Sequence, residues 1–256
     1  MSFASKVVIV TGASSGIGAA TAVLFAKEGA DVVIVGRNEV KLATVAEECT
    51  CNGKAPLVIK ADMSNDDDVK KIIDETIDNY GKLDILVNNA GMGAFGGILS
   101  DTAVSTYDKV MAVNMRAVVH LTALAAPHIV ETKGNIVNVS SIAGKKVLTG
   151  SFLSYSLSKA TLDHFTRCIA LELAPSGVRA NTVSPGPVKT DFMDNAGVPG
   201  VNWDEMGAIV ALKRYSESEE IAEMILYLAS DKAKGITGSD FITDNGGLLR
   251  YDVPQY

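Results

Sequence analysis

The sequence has few cysteines and no cysteine framework of the kind that stabilises secreted domains. Only three occur, Cys49, Cys51 and Cys168. An odd number without regular spacing is typical of a reducing compartment, so we expect a cytoplasmic protein. Cys49 and Cys51 could supply two ligands to a metal ion, but no second Cys or His pair stands at the spacing of a zinc site. We therefore expect no metal.

Long hydrophobic runs and an excess of positive charge are also missing. The longest apolar region, residues 117–130, is interrupted by His120, Thr122, Pro127 and His128. We therefore expect neither a signal peptide nor a membrane span. Lysine and arginine total 23 against 30 acidic residues, a net charge of −7. No general basic field is available to hold nucleic acid or an anionic membrane, and we expect neither partner.

No linker rich in Pro, Gly or Ser interrupts the 256 residues, and no internal repeat is visible. Helical patterns separate short β-branched or apolar runs, as parallel strands joined by right-handed crossovers require. These runs cover residues 7–10, 32–35, 57–59, 85–87, 136–139, 178–183 and 241–243. The pattern predicts an α/β fold with a doubly wound, seven-stranded parallel sheet in a single domain.

A glycine-rich turn follows the first of these runs. Gly12, Gly16 and Gly18 stand in the pattern Gly-x-x-x-Gly-x-Gly, between the apolar run and a helical stretch at residues 19–28. Such a turn lets backbone amides approach a pyrophosphate that faces the N-terminus of the helix. Glycines at these positions would otherwise carry an entropic cost without benefit. We interpret the turn as a dinucleotide-binding element of a Rossmann-type sheet.

A second pattern places Tyr155 four residues before Lys159. Residues four apart lie on one face of a helix, so the ammonium group is expected near the phenol, where it would favour the phenolate. An unperturbed phenol has a pKa of about 10, and a neighbouring cation would bring it toward neutral pH. The spacing by itself is common on helices, and it gains weight from the glycine turn.

Together with further motifs, these patterns resemble the short-chain dehydrogenase/reductase family, in its single-domain branch, over residues 5–248. Ser141 lies one residue farther from Tyr155 than in many members, which indicates an insertion in the intervening loop. Asp244 is separated from Gly246 and Gly247 by an additional asparagine. The motifs are Thr11 to Gly18, Asp62-Met63, Asn88 to Gly91, Asn114, Ser140-Ser141, Tyr155 with Lys159, and Pro185 to Thr190.

The resemblance implies a metal-free hydride transfer between a nicotinamide and a carbonyl or secondary alcohol carbon. Tyr155 would supply or remove the proton on oxygen, and Ser141 would hold the substrate oxygen. Lys159 would lower the tyrosine pKa and hydrogen-bond the nicotinamide ribose. Asn114 would bind a water molecule in a proton relay from Lys159 to solvent.

The second strand ends at Gly36, Arg37 and Asn38, where many dinucleotide-binding folds carry a carboxylate for the adenosine ribose. An arginine there accommodates a 2′-phosphate instead, so we expect NADP(H), with NAD(H) as the alternative because Ser15 stands where many NADP-dependent members carry a second basic residue. The resemblance assigns the remaining cofactor contacts: Gly12, Ser14, Ser15, Gly16, Ile17 and Gly18 at the turn, Asp62 and Met63 at the adenine, Asn89, Ala90 and Gly91 at the ribose, and Pro185, Gly186, Val188 and Thr190 at the carboxamide.

Residues 191–215 are expected to form a lid over the substrate, with an apolar surface that suits a steroid-like or xenobiotic carbonyl compound. The apolar side chains of the lid are Phe192, Met193, Val198, Val201, Trp203, Met206 and Ile209. One alternative is a 3-oxoacyl-acyl-carrier-protein reductase, for which Lys145, Lys146 and Lys189 would form the basic patch. A more remote alternative is a non-catalytic protein that senses dinucleotides.

The sequence also predicts a homodimer or a homotetramer. Helices expected at residues 103–130 and 155–174 carry apolar residues beyond one sheet-facing stripe, and a helix that is apolar on two sides requires a second partner. In relatives, the resemblance implies, these helices pair with their symmetry mates. The apolar residues concerned are Val118, Val119, Leu121, Phe165, Ile169 and Leu173.

Overall fold

The structure is a computed structural model that describes residues 2–249. Within them, seven strands form one parallel sheet in the order β3-β2-β1-β4-β5-β6-β7. The strands are β1 (Val7–Thr11), β2 (Asp31–Gly36), β3 (Leu57–Lys60), β4 (Ile85–Asn88), β5 (Asn135–Val139), β6 (Arg179–Pro185) and β7 (Asp240–Thr243). The predicted doubly wound sheet is confirmed, and each predicted run falls on its strand to within two residues.

Helices cover both faces of the sheet. One layer contains α1, α2 and α9, and the other contains α3, α5 and α6. The helices are α1 (Gly16–Lys27), α2 (Glu39–Asn52), α3 (Asp66–Tyr80), α4 (Ala103–Met111), α5 (Ala117–Thr132), α6 (Leu153–Leu173), α7 (Phe192–Asn195), α8 (Trp203–Ala208) and α9 (Ser218–Ala229). A π-helical segment, Ala112–Arg116, joins α4 to α5 without a break.

The core lies in two apolar layers, one on each face of the sheet. Side chains alternate along a strand, and β1 shows the consequence: Val8 and Val10 pack against the α1 layer, whereas Val7 and Ile9 pack against the α3 layer. All five residues of β1 are buried. A strand buried on both faces reads as a continuous apolar run, which is why the sequence revealed it.

Side chains at the helix ends explain where several helices begin. The side chain of Asn38 accepts a hydrogen bond from the Lys41 backbone N–H at the start of α2, and Asn65 caps α3 in the same way. The acidic run 66–68 occupies the first turn of α3, where carboxylates interact favourably with the helix dipole. Gly81 ends α3 in the left-handed conformation that glycine adopts without strain.

The helices expected to face a partner subunit are more buried than predicted. Val118, Leu121 and Ile169 are at most 8% exposed and belong to apolar clusters of this chain. Phe165 and Leu173 are partly buried and pack against the same clusters, and of the predicted set only Val119, at 43%, is an exposed hydrophobic residue. Five of the six residues therefore already have packing partners within this chain, and the homodimer or homotetramer stays a prediction.

The continuous helix Ala103–Thr132 is, by length and composition alone, able to cross a membrane, with a mean hydropathy of 1.3 over its most apolar window. It packs against α3 and α6 in this chain. The core helix of a soluble protein meets the same criterion, so the apolar character of this helix is explained by its position against the sheet.

Candidate active site

The strand order reverses between β1 and β4, and a cleft opens at the carboxyl ends of the strands there. Thr11 at the end of β1 holds the two sides together. Its hydroxyl accepts hydrogen bonds from the backbone N–H groups of Asn89 and Ala90, each at 3.0 Å, and donates to the carbonyl of Val87 at 3.2 Å. The cleft has a volume of about 840 Å³.

Most residues that the sequence nominated line this cleft. Three do not: Gly18, Asn38 and Asn114. The cleft-lining residues from the prediction are Gly12, Ser14, Ser15, Gly16, Ile17, Arg37, Asp62, Met63, Asn89, Ala90, Gly91, Ser141, Tyr155, Lys159, Pro185, Gly186, Val188 and Thr190.

The glycine turn requires glycine for packing as well as for access to the cleft. Gly12 has φ +66°, and a Cβ atom there would lie 2.8 Å from the Cα of Ala90. A Cβ at Gly18 would lie 2.3 Å from the carbonyl oxygen of Gly12, so Gly18 shapes the turn from behind. Helix α1 begins at Gly16. Its free amides therefore face the cleft, and the turn fits the pyrophosphate of a dinucleotide.

At the far end of the cleft, Arg37 follows the last residue of β2. Its side chain is 73% exposed, and Nη1 lies 3.9 Å from Asp62 Oδ2. Hydrogen bonds from the backbone and side chain of Ser64, together with the charge of Arg37, hold the pKa of Asp62 below its usual value. Gly36 presents no carboxylate at this point. Asn38 is occupied in capping α2 and does not line the cleft.

Tyr155 and Ser141 meet in the middle of the cleft. Ser141 follows β5 and starts a short 3-10 turn, Ile142–Gly144, with its hydroxyl accepting the Ala143 N–H at 3.1 Å. Tyr155 lies in the first turn of α6 and is 8% exposed. Burial raises the pKa of Tyr155 to about 12, although a hydrogen bond with Ser141 opposes this shift. The predicted lowering of this pKa by Lys159 is not found.

Lys159 lies on the same face of α6 as Tyr155, and its amine is hydrogen-bonded to strand β5. Nζ donates a hydrogen bond to the backbone carbonyl of Val139 at 2.8 Å and lies 5.6 Å from the centre of the tyrosine ring. Burial lowers the pKa of Lys159 to about 8, and the carboxylate of Asp163 opposes that shift. The shared face was correctly predicted, and the amine lies over the tyrosine ring while it hydrogen-bonds the Val139 carbonyl.

Asn114 lies behind the cleft in the π-helical segment and is 1% exposed. Its side chain accepts the Met92 N–H at 2.8 Å and donates to the Met92 carbonyl at 2.9 Å and to the hydroxyl of Ser158 at 3.0 Å. A Cβ atom at Gly91 would lie 3.5 Å from both Asn114 Oδ1 and Lys159 Nζ. Asn114 and Lys159 therefore border the same glycine. Single π-helical turns are frequently found at functional sites.

The segment after β6 closes the nicotinamide end of the predicted site. A Cβ atom at Gly16 would lie 2.8 Å from Thr190 Cγ2, which places this threonine against the glycine turn. A Cβ at Gly186 would lie 2.7 Å from the Cα of Asp244, so the two loops require glycine to approach each other. Asp191, which directly follows Thr190, forms a 2.5 Å ion pair with Lys41 of α2.

Sequence reasoning missed an aromatic cluster around Tyr155. The ring of Phe152 stacks on that of Tyr155 with centroids 4.5 Å apart, and Phe95 stacks on Phe152 at 4.7 Å. Phe192 contacts the Tyr155 ring at 5.1 Å. Phe152 ends a short 3-10 turn, Gly150–Phe152, directly before α6, and so short an element has no periodic pattern to mark it. Its position three residues before Tyr155 was the only signal in the sequence.

The substrate half of the cleft is mainly apolar. Five of the seven apolar residues of the predicted lid line it, and Val198 and Val201 do not. Neighbouring loops contribute side chains that the sequence did not nominate. The apolar lining includes Val147, Leu148, Phe152, Phe192, Met193, Trp203, Met206 and Ile209. Over residues 2–249, no three His, Cys, Asp or Glu side chains are grouped so that they could hold a metal ion.

Known proteins match this chain over nearly its whole length. A family model described as enoyl-(acyl carrier protein) reductase matches residues 12–247. Meso-2,3-butanediol dehydrogenase of Serratia marcescens is 35% identical over 255 residues, covering 100% of this chain and 99% of that protein. The 3-oxoacyl-acyl-carrier-protein reductase of Thermotoga maritima is 34% identical over 252 residues, covering 97% and 100%.

A solved structure agrees with these relatives. It is that of a short-chain dehydrogenase/reductase of unknown function from Caenorhabditis elegans, determined with cofactor. The TM-score is 0.92 at 37% identity, with 98% of this chain and 97% of the other covered. With the sheet order, the glycine turn and the Ser141, Tyr155 and Lys159 arrangement, these matches establish that the chain belongs to the short-chain dehydrogenase/reductase family of nicotinamide-dependent oxidoreductases.

Proposed function

We propose that this protein is an NADP(H)-dependent oxidoreductase that interconverts a lipophilic ketone and its secondary alcohol. The observation that carries the proposal is that the glycine turn, Ser141, Tyr155 and Lys159 all line one cleft with an apolar outer half. Steroid-like and xenobiotic carbonyl compounds are the substrate class that we favour. The three cysteines are free thiols, in keeping with a cytoplasmic location.

When bound, the dinucleotide supplies or accepts the hydride, and the protein manages the proton. The Tyr155 phenol and the Ser141 hydroxyl hold the substrate oxygen while charge develops on it. A phenol whose pKa is about 12 stays protonated at neutral pH, so it is ready to donate in the direction of ketone reduction. Lys159 binds the nicotinamide ribose and, with water held by Asn114, returns a proton to Tyr155.

The preference for NADP(H) follows from the end of β2. Gly36 offers no carboxylate to the ribose hydroxyls, and Arg37 stands exposed beside the cleft, where its guanidinium group can reach a 2′-phosphate. The remaining predicted residues bind the rest of the cofactor. Ser14, Ser15 and Ile17 would hold the pyrophosphate with the glycine turn, Met63 would contact the adenine, and Pro185, Val188 and Thr190 would bind the carboxamide.

The apolar outer half of the cleft supports a lipophilic substrate. Phe152 and Phe192 lie beside Tyr155, and the lid segment 191–215 adds Trp203 and Met206 to the lining. In an apolar pocket, each buried methylene group of a ligand adds to its affinity, whereas ligands that differ by one such group are discriminated only weakly. We therefore favour bulky cyclic or aromatic ketones over small hydroxylated ones.

A 3-oxoacyl-acyl-carrier-protein reductase is the second candidate, favoured by the relative from Thermotoga maritima. It needs a basic surface for an acidic carrier protein. Lys145 is engaged with Asp163 and Asp240, and Lys189 lies 5.7 Å from the centre of the Tyr215 ring. These contacts weaken the predicted patch. A non-catalytic dinucleotide sensor would have no use for the Ser141 and Tyr155 pair, and we rank it last.

We further propose that the enzyme is a homodimer or a homotetramer built on α4, α5 and α6. Five hydrophobic side chains on these helices remain exposed in the single chain. They are Val104, Tyr107, Val119, Leu157 and Leu171, each at least 41% exposed. In a two-fold symmetric dimer the same patch of each copy meets its counterpart, so these side chains would be buried against each other.

Oxidation of NADPH with a panel of ketones tests the proposed activity. The panel contains steroids, quinones, small diketones and acetoacetyl thioesters, and each reaction is repeated with NADH. Turnover of steroids or quinones with NADPH is the expected result. Turnover of thioesters alone would favour the second candidate, and nucleotide binding without any turnover would favour the sensor.

A further inference from the structure

The partly buried ammonium group of Lys145 connects three parts of the site. Lys145 directly follows the 3-10 turn that Ser141 begins. Its ammonium group is ion-paired with Asp163 of α6 and lies 2.9 Å from Asp240 Oδ2 of β7. The side chains of Lys145, Asp163 and Asp240 are 20%, 8% and 24% exposed. Removing one partner of an ion pair that is largely shielded from solvent leaves the other charge uncompensated, which costs more than breaking an exposed pair.

The Lys145 turn sits directly on the helix that carries Tyr155 and Lys159. A Cβ atom at Gly144 would lie 2.9 Å from the backbone of Ala160 and of Lys159, so only glycine permits this approach. The Ser140 hydroxyl donates to the Lys159 carbonyl at 3.2 Å from the same side. Lys145 is thereby placed above Asp163, which is one helical turn beyond Lys159.

The second carboxylate, Asp240, extends the network toward the nicotinamide end. Its Oδ1 accepts a hydrogen bond from the Ser184 hydroxyl at 2.6 Å. Ser184 is fully buried and precedes Pro185, the first residue of the segment that leads to Thr190. One ammonium group therefore joins the turn of Ser141, the helix of Tyr155 and the strand pair β6–β7.

The carboxylate of Asp163 also acts electrostatically on the Lys159 amine, which lies one turn earlier on α6. Asp163 Oδ2 pairs with Lys145, whereas Asp163 Oδ1 is buried and accepts no hydrogen bond from residues 2–249. On α6 the titratable neighbours of Lys159 are Tyr155, whose ring centre lies 5.6 Å from Nζ, and Asp163, whose charge acts on the lysine. Lys145 joins Asp163 to Asp240 of β7, so these two groups belong to the same charged cluster. From other elements, Nζ donates to the uncharged Val139 carbonyl of β5, and the uncharged Asn114 side chain borders Gly91 together with Nζ.

Resting on the proposed function, we propose that Lys145 and Asp163 are positioning residues: they hold the Ser141 turn against α6 and set the charge around Lys159. Lys145, Asp163 and Asp240 together carry a net charge of −1. Lys145→Met changes it to −2, Asp163→Asn changes it to zero, and the double variant restores −1. Charge near Lys159 and anchoring of the turn can therefore be varied separately.

The test measures the pKa of Lys159 by NMR titration of lysine-labelled protein, with Lys159→Met to assign the signal. We expect Lys145→Met to raise this pKa and Asp163→Asn to lower it, each by roughly half a pH unit or more, because removing a cation favours the ammonium form and removing an anion disfavours it. The double variant is expected near the wild-type pKa. This readout does not require a known substrate.

Activity supplies the second measurement. All three variants lose the anchor of the Ser141 turn, so we expect kcat for NADPH-dependent ketone reduction to fall roughly tenfold in each, a change of about 1.4 kcal/mol in the barrier. The double variant should thus recover the pKa but not kcat. Lys6→Met, which removes one partner of buried Asp84 elsewhere in the fold, is the control and should change neither.

Shifts of the Lys159 pKa in the same direction in both single variants, or no shift in either, would overturn the electrostatic role. A kcat within twofold of wild type in Lys145→Met would overturn the anchoring role. If the wild-type protein reduces no ketone, the proposed function fails by itself. The anchor is then judged by hydrogen exchange of residues 140–146, which should quicken in the three variants and not in Lys6→Met.

Discussion

The ring of Phe152 lies on the ring of Tyr155, with centroids 4.5 Å apart and planes 28° apart. This stacking shields the phenol from water, and burial is the main cause of the raised pKa of Tyr155, about 12. Burial of the ring beneath Phe152 therefore favours the protonated phenol over the phenolate. Phe152 also forms part of the apolar wall on which a substrate would lie.

Phe152→Leu should lower the pKa of Tyr155 from about 12 toward the ordinary value of about 10, because a smaller side chain admits water to the phenol. Ultraviolet titration of the tyrosinate, taken as the difference from Tyr155→Phe, measures the shift. Phe95→Leu is the matched control, since Phe95 stacks on Phe152 at 4.7 Å on the periphery of the cluster. Equal titrations in wild type and Phe152→Leu would contradict the shielding.

Tyr155→Phe should reduce kcat at least about a hundredfold and leave NADP(H) binding nearly unchanged, because it removes the transferable proton and keeps the ring. Steady-state kinetics and fluorescence titration with NADPH measure the two effects. Retention of more than about a tenth of the wild-type kcat, a loss below about 1.4 kcal/mol, would exclude the acid–base role. Lys159→Ala should impair both turnover and binding.

Stability should depend on pH through Lys159. Burial lowers its pKa to about 8 in the folded protein, against 10.5 for the free side chain. Between these two values the unfolded chain binds more protons, so the free energy of unfolding should rise with pH over that window. Urea unfolding at pH 7.5 and 9.5 should show that the free energy of unfolding rises more with pH in wild type than in Lys159→Met. An identical gain in both would contradict the lowered pKa.

Arg37→Ala should weaken NADP(H) binding roughly ten- to a hundredfold and change NAD(H) binding little, because a charge-assisted hydrogen bond contributes about 1.5–3 kcal/mol. Gly36→Asp should shift preference toward NAD(H). A Cβ atom at Gly36 would lie 3.3 Å from Leu42 Cδ2 and from Ser14 Cβ, so a small displacement of these neighbours is required. Equal titration curves of wild type for both cofactors would overturn the NADP(H) assignment.

Val119→Glu should dissociate the proposed oligomer, because it places a charge on the exposed face of α5. Val58→Glu is a matched control: Val58 is also 43% exposed, but it lies on the edge strand β3. Light scattering of both variants measures the mass. A fully active wild-type monomer of 26.9 kDa would rule the oligomer out. Ile169 is unsuitable for this test, since it is buried within the chain and a charge there would unfold it.

The sequence by itself determined the sheet and the position of the cleft. Strands buried on both faces read as unbroken apolar runs, and the glycine turn after β1 marks the point where the strand order reverses. Helical spacing also placed Tyr155 and Lys159 on one face of α6. Such signals are local, because neighbouring residues and a fixed period carry them.

Only the tertiary structure decided how these residues act on one another. The amine of Lys159 reaches the Val139 carbonyl, Phe152 covers Tyr155, and Lys145 joins Asp163 to Asp240. Each contact joins segments whose relative positions depend on packing of the whole chain. The pKa of a buried group depends on what surrounds it in three dimensions, which is why spacing alone predicted the wrong direction for Tyr155.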